Sequence, residues 1–285
     1  MIDLHTHTTA SDGQYSPSQL VEKAASKGIS VLAITDHDTV AGLKEGEEAA
    51  RRFGITFVPG IEFNIERPNC EFHLLGLGLY DVSKSLIEAS DFLAKSRAKR
   101  NLEMIEKLNS DGYSVSIEEL QSEFPTKSLG RPHIAKWLEK KGIVKNVQQA
   151  FDKYLGRGRP WYVERTGINL DVAIQAIYDS GGVPVVAHPL SLYLSWTKLE
   201  PVMEDFKSRG VAGMECFHPG ARVTECLRLE EMARKLGMIV TAGSDFHGEK
   251  IRSDRRPGHT CGDKKIEDRF WFEELKPALE KGQSE

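Results

Sequence analysis

His5 and His7 flank one residue in a segment that alternates, with Ile2, Leu4 and Thr6 on one side and Asp3, His5 and His7 on the other. On an extended strand residues i and i+2 leave the same face, so both imidazoles can turn toward one cation. Further donors recur down the chain: Asp12 in Ser11-Asp12-Gly13, His37 in Thr35-Asp36-His37-Asp38, Glu62 in Pro59-Gly60-Ile61-Glu62, then His73, His188 in Ala187-His188-Pro189, and Asp245 with His247 in Gly243-Ser244-Asp245-Phe246-His247. Imidazole nitrogen and carboxylate oxygen, with no thiolate, suit zinc, manganese or iron and not a structural thiolate zinc site. The set exceeds what one tetrahedral ion takes, so two or three divalent ions with a bridging carboxylate are expected. Clustered ions roughly 3.5–4 Å apart clamp both oxygens of a phosphoryl transfer and lower the pKa of a bridging water, so that hydroxide attacks near neutral pH.

These donors need elements that deliver them to one place. Ile2–Thr8 reads as a strand. Ser16 then caps a helix with Pro17 at its first position and Gly28 at its end. Strands follow at Val31–Thr35, Thr56–Val58 and Glu71–Leu79, with a helix from Val40 to Phe53 between the first two. The rhythm resumes with strands at Val183–Ala187, Val211–Cys216 and Met238–Ala242, separated by helices around Asp171–Ser180, Lys198–Arg209 and Arg222–Leu236. Strand–helix repetition argues for an α/β fold with a parallel sheet, open or closed into a barrel. Almost every candidate donor then falls at the C-terminal end of a strand, the edge at which such folds assemble their sites. Between them, Ser83 to Gly167 reads as a helical insert: Leu102, Ile105 and Leu108 make a helix face, Ser116 with Glu119 a capping box, and Pro132 a helix start. A strand is expected only at Trp161–Val163, and fraying at Lys281–Glu285.

The quoted segments, in this order and spacing, resemble the PHP (polymerase and histidinol phosphatase) superfamily over residues 1–80 and about 168–250. The resemblance implies a distorted (β/α)7 barrel built from 1–82 and 168–285, with a small helical insertion domain at 83–167, and a trinuclear site. By it His5, His7, Glu62 and Asp245 bind one ion, Glu62, His73 and His188 a second, and Asp12, His37 and His247 a third. Some relatives have His where this chain has Asp12, which bears on metal preference. Gly130-Arg131-Pro132-His133-Ile134-Ala135 in the insert resembles the subgroup that hydrolyses nucleoside 3′,5′-bisphosphates, and relatives that trim RNA from its 5′ end. The same resemblance makes Arg131 and His218, the latter in Glu215-Cys216-Phe217-His218-Pro219, holders of the substrate phosphate. Independently, Arg131 precedes a proline-started helix, where backbone N–H groups and a guanidinium can meet an anion. His218 follows a strand on the metal rim, where it can donate to the leaving oxygen.

Other features are weighed against plainer roles. Arg157 and Arg159 stand beside Trp161 and Tyr162, a pattern that grips a base and its phosphates or packs the root of the insert. Of two more basic clusters, Arg97–Arg100 reads as a solvated helix face, and Arg252–Arg256 has no assigned role. Asp36 and Asp38 read as orienters of His37 or solvated turn carboxylates, and Asp3 as an orienter on the face of His5 and His7. His133 reads as a surface or packing residue and His259 as a loop histidine.

The chain has 285 residues, 40% hydrophobic side chains and a net charge of −4. That composition excludes a mostly disordered chain and disfavours one that coats long nucleic acid. No membrane span or secretory leader is evident, and Cys70, Cys216, Cys226 and Cys261 form no close pair, so a cytoplasmic setting with free thiols is expected. The oligomeric state is open. The reading reached is a metal-dependent phosphoesterase acting on a small nucleotide, or a short oligonucleotide, with Mn2+, Zn2+ or Fe2+. Its alternatives are a histidinol phosphatase, a 5′-to-3′ exoribonuclease and, from another class, a non-catalytic metal-binding regulatory module. An amidohydrolase would want a lysine on the fourth strand, where the chain has Glu71-Phe72-His73.

Overall fold

The computed structural model describes residues 1–68, 70, 72–124 and 129–282. In chain order the elements are β1 (Ile2–Asp3), α1 (Pro17–Ser26), β2 (Val31–Ile34), α2 (Leu43–Phe53), β3 (Thr56–Asn64), β4 (His73–Leu77), α3 (Lys84–Ser110), α4 (Ile117–Glu123), α5 (Arg131–Lys140) and α6 (Val147–Ala150). Then come α7 (Leu170–Asp179), β5 (Val183–Val186), α8 (Trp196–Ser208), β6 (Gly213–Phe217), α9 (Val223–Leu236), β7 (Ile239–Ala242), β8 (His259–Thr260), β9 (Lys264–Lys265) and α10 (Lys276–Gly282). Two compact units result, residues 1–90 with 167–285, and residues 91–166. Among the described residues no helix is long and apolar enough to cross a membrane.

In the first unit β1 to β7 form one sheet in sequential order. Backbone bonds join its ends: His7 N donates to Phe246 O (3.0 Å) and Asp245 N to His5 O (2.9 Å), so the sheet nearly closes into a barrel. The expected first strand is regular only at Ile2–Asp3, with a further bridge from Thr6 to Phe246. β2, β4 and β5 are buried along their whole length, as strands covered on both faces must be. Helix starts follow the sequence cues. Ser16 and Gln19 cap α1 reciprocally, at 3.3 and 3.0 Å, with Pro17 in the first turn.

The sheet departs from all-parallel at one strand. β4 runs antiparallel to both β3 and β5. β3 is also longer than the expected Thr56–Val58, continuing through Pro59 and Gly60 to Asn64. Glu71, the first residue of the expected fourth strand, lies outside the described residues, as do Gln283–Glu285 of the expected frayed end; α10 runs to Gly282.

The second unit is helical around its own core, which includes Met104, Leu108, Ile134, Trp137, Leu138 and Trp161. Trp161–Val163 is not a strand. Trp161 is buried, stacks on Tyr154 with ring centroids 4.1 Å apart, and donates to Asp111 Oδ2 at 2.6 Å. Ser116 accepts from Glu119 N (3.2 Å), but the Glu119 carboxylate turns instead to Trp137 Nε1 and Lys141 Nζ. Arg100 is buried and not solvated.

Candidate metal centre

Strand ends position the donors, with two exceptions that the antiparallel strand explains. His5 and His7 follow β1, His37 follows β2, His188 follows β5, His218 follows β6, and Asp245 and His247 follow β7. Glu62 does not follow a strand; it lies inside β3, paired with Leu75 of β4. His73 opens β4 opposite Asn64. Because β4 is reversed, its first residue reaches the rim at which its neighbours end.

Donor spacing tests whether a cation fits. Ligands about 2.0–2.2 Å from one tetrahedral ion lie about 3.3–3.5 Å from each other. His5 Nε2 and His7 Nε2 are 3.1 Å apart. Glu62 Oε2 lies 3.5 Å from His5 Nε2 and 3.4 Å from His7 Nε2. Asp245 Oδ1 lies 3.6 and 3.3 Å from the same two nitrogens. The other oxygen of Glu62, Oε1, is 3.0 Å from His73 Nδ1 and 3.0 Å from His188 Nε2, which are 3.3 Å from one another. Two groups of donors therefore have the spacing of ligand shells, and Glu62 gives one oxygen to each. Glu62 Oε2 is fully buried, with His37 Nδ1 2.8 Å away, and among the described residues it makes no hydrogen bond, which fits a lone pair meant for a cation. A looser group holds Asp12, His37 and His247, with His7 beside them. His247 Nε2 is 3.4 Å from Asp12 Oδ1, and His37 Nε2 is 3.9 Å from Asp12 Oδ2.

Electrostatics favour the same reading. Burial would raise Glu62, but His37, His73 and His5 outweigh it and hold its carboxyl well below the usual range. Burial likewise opposes ionisation of Asp245, and His247, His218 and His7 overcome it. Burial, with His247, pushes His7 down to about 3. Ionised carboxylates and neutral imidazoles are the states that bind metal. His5 goes the other way: burial lowers it, but Glu215 and Glu62 raise it well above the ordinary value. A cation in the cluster would take the place of that proton. Strain marks the site too, since His188 (φ 28°) and Asp245 (φ 51°) sit in backbone regions unusual for residues with a Cβ.

Of the supporting residues, Glu215, Ser191 and Arg252 carry no assignment from sequence. Glu215 in β6 accepts from His5 Nδ1 (2.9 Å) and from the His188 backbone N–H (2.9 Å). Its signal was a lone carboxylate within the apolar run Gly213–Phe217. Ser191 Oγ meets His188 Nδ1 at 2.9 Å. Arg252 Nη1 donates to Asp245 Oδ2 at 2.6 Å. Asp36 is not a solvated turn residue: it is buried and accepts from Thr8 N, Thr8 Oγ1 and Ser11 Oγ at 2.6–2.7 Å, tying down the loop that carries Asp12. Asp38 accepts from Asn64 N at 2.9 Å. Asp3 points not at an imidazole ring but at Ser244 and the Gly258 N–H, at 2.6–2.9 Å.

His218 joins the cluster edge. Gly220 N donates to its Nδ1 at 3.0 Å, so the ring proton sits on Nε2, 3.3 Å from Asp245 Oδ2. Burial lowers its pKa, keeping it a neutral donor. A cavity of about 300 Å³ opens beside Glu62, His73, His188 and His218.

Arg131, Arg157 and Arg159 belong to the second unit. The Arg131 guanidinium lies 5.6 Å from the Tyr162 ring centre, and Arg157 pairs with Glu164 at 3.6 Å, both exposed. Trp161 is a core residue there, not a platform for a base. His133 Nδ1 accepts from Gly130 N at 3.1 Å, closing the first turn of α5, and His259 lies in β8 against Pro257 O.

The PHP domain model matches residues 3–155. A 5′-3′ exoribonuclease of Haemophilus influenzae is 33% identical over 86% of this chain and 89% of that protein. A 3′,5′-nucleoside bisphosphate phosphatase of Chromobacterium violaceum is 31% identical over 91% of each. A Chromobacterium violaceum structure described as an amidohydrolase with bound sulfate and no metal superposes with a TM-score of 0.85, at 29% identity over 99% of this chain and 96% of that one. With its matched residues and these similarities over most of its length, the chain belongs to the PHP domain family.

Proposed function

We propose that this metal-dependent phosphoesterase removes a phosphate monoester from a small nucleotide, with the 3′-phosphate of a nucleoside 3′,5′-bisphosphate as its substrate. The observation that carries the proposal is the division of Glu62, one oxygen facing His5, His7 and His37 and the other facing His73 and His188. A bridging carboxylate between two nitrogen-rich shells is the arrangement that holds paired ions for hydrolysis. The two relatives, one named for nucleoside bisphosphates and one for RNA, support a nucleotide substrate.

His5, His7, Glu62 and Asp245 would hold one ion, Glu62, His73 and His188 a second, and Asp12, His37 and His247 a third. The nitrogen and oxygen set suits zinc, manganese or iron. When bound, the ions supply Lewis acidity toward phosphate oxygens and acidify water. The chain's own residues do the rest. Glu215 fixes the ring of His5 and the backbone of His188. His218 offers its Nε2–H to a phosphate oxygen or to the leaving oxygen. From the sequence resemblance, Arg131, Arg157 and Arg159 of the inserted segment are proposed as phosphate contacts.

The amidohydrolase reading asks for a lysine on the fourth strand, and β4 reads His-Leu-Leu-Gly-Leu. The 5′-to-3′ exoribonuclease reading is the second candidate, favoured by the Haemophilus influenzae relative. Purified chain supplied with Mn2+ is assayed side by side on 3′,5′-bisphosphoadenosine, histidinol phosphate and a 5′-phosphorylated RNA pentamer. The bisphosphate is expected to turn over fastest. Preference for histidinol phosphate overturns the substrate, and no turnover of any of the three favours a regulatory module.

A further inference from the structure

The proposed reaction leaves the third basic cluster, between β7 and β8, without a role. Its members differ in how they are satisfied. Arg252 is engaged with Asp245, and Arg256 with Asp263. Arg255 is 8% exposed, and among the described residues neither its Nε nor its Nη1 makes a hydrogen bond. Its ion pair with Asp254 is long, 3.5 Å from Nε, and the Asp254 carboxylate is solvent-exposed. A guanidinium withdrawn from water is costly unless an anion meets its N–H groups. The same side chain lines the cavity beside His218 and Asp245.

The order of groups across that cavity places Arg255 relative to the donor cluster. Asp245 faces the Nε2 side of His218, and Gly220 faces its Nδ1 side. A Cβ on Gly220 would lie 2.9 Å from His218 Nδ1 and 3.3 Å from Nη2 of Arg255. Gly220 therefore lies between the imidazole and the guanidinium, where a Cβ would crowd both. Arg255 thus stands beyond His218, one imidazole removed from Asp245 and the donor cluster. The segment is held in place from below, since Gly258 N donates to the buried Asp3 carboxylate at 2.7 Å.

We propose that Arg255 binds a second, non-scissile phosphate and so selects substrates that carry two phosphate groups. The proposal rests on the phosphoesterase reading above and adds the residue that reads the distal charge. A planar guanidinium meets phosphate through two parallel N–H···O bonds, which a lysine ammonium cannot reproduce.

The test uses the full chain loaded with Mn2+, as wild type, Arg255→Met and Arg255→Lys, on adenosine 3′,5′-bisphosphate and adenosine 3′-monophosphate. Arg255→Met is expected to raise KM for the bisphosphate about 30-fold, the loss of a charged hydrogen-bond pair, with kcat and all constants for the monophosphate nearly unchanged. Arg255→Lys is expected to fall between. Equal losses on both substrates, or no change on either, overturn the assignment. Should the wild type hydrolyse neither substrate, the nucleoside bisphosphate reading fails. Calorimetric titration of the bisphosphate then reads Arg255 alone: weaker binding to Arg255→Met keeps the anion site, and equal binding removes it. Thermal melting of both variants separates a lost contact from a lost fold.

Discussion

The carboxylate of Glu215 lies 2.9 Å from His5 Nδ1 and leaves the opposite ring nitrogen, Nε2, facing His7, Glu62 and Asp245. A carboxylate behind a metal-binding imidazole fixes its tautomer and ring orientation and raises its basicity. Glu215→Gln is therefore expected to weaken metal binding about 10–100-fold while the chain still folds. Elemental analysis after dialysis against graded chelator reads this directly. Retention equal to wild type at every chelator level would show that His5 needs no such partner.

Glu62 couples two donor groups, so its loss reaches both. Glu62→Gln keeps the shape and removes the charge that His37, His73 and His5 surround. Breaking a fully buried charge cluster costs about 3–5 kcal/mol, so the metal-free variant is expected to unfold at lower denaturant. The loaded variant is expected to retain fewer ions than a variant altered at Asp12, which belongs to the looser group. Equal ion counts in the two variants would contradict the bridging arrangement.

Much of this site is legible in the chain itself, and the exceptions have physical causes. The alternation of Ile2–Thr8 places His5 and His7 on one face, and their Nε2 atoms stand 3.1 Å apart. The expected third strand stops at Val58, before Pro59 and Gly60, yet β3 runs through them. Gly60 packs against the Gly76 carbonyl so closely that a Cβ would lie 2.9 Å from it, a tight contact between strands. The direction of β4 is invisible to hydrophobic periodicity, which is the same read from either end. Trp161 beside arginines looks like a base platform, but nothing local reveals that Tyr154 and Asp111 enclose it. Glu215 and Arg255 are harder still, because the surroundings that distinguish each come from distant segments.

Gly243 sets how closely β7 approaches the first ligand. A Cβ there would lie 2.2 Å from His5 Cβ and 2.6 Å from Glu215 Oε1. Neither neighbour is the far end of a loose side chain, so Gly243→Ala must displace the β1 segment. Overpacking of this kind costs about 1–3 kcal/mol, read as a shift in the denaturation midpoint. The displacement also moves the His5 ring, so metal content is expected to fall along with stability. A variant as stable as wild type and fully loaded would show that the segment moves freely.

Metal removal tests the whole arrangement, and two readouts guard against a trivial result. Buried carboxylates and imidazoles at 3.0–3.6 Å are best satisfied by cations, so binding couples to folding. A ligand that binds only the folded chain adds about 2.7 kcal/mol at a hundredfold excess over its dissociation constant. Exhaustive chelation is therefore expected to abolish hydrolysis and lower the melting temperature, and Mn2+ or Zn2+ to restore both together. The melting curve matters because a contaminating phosphatase can also lose activity with chelator, but cannot shift this chain's unfolding. Full activity in a chain verified free of metal would remove the reaction class itself. A melting temperature indifferent to added metal would show instead that the clustered donors are a satisfied polar core.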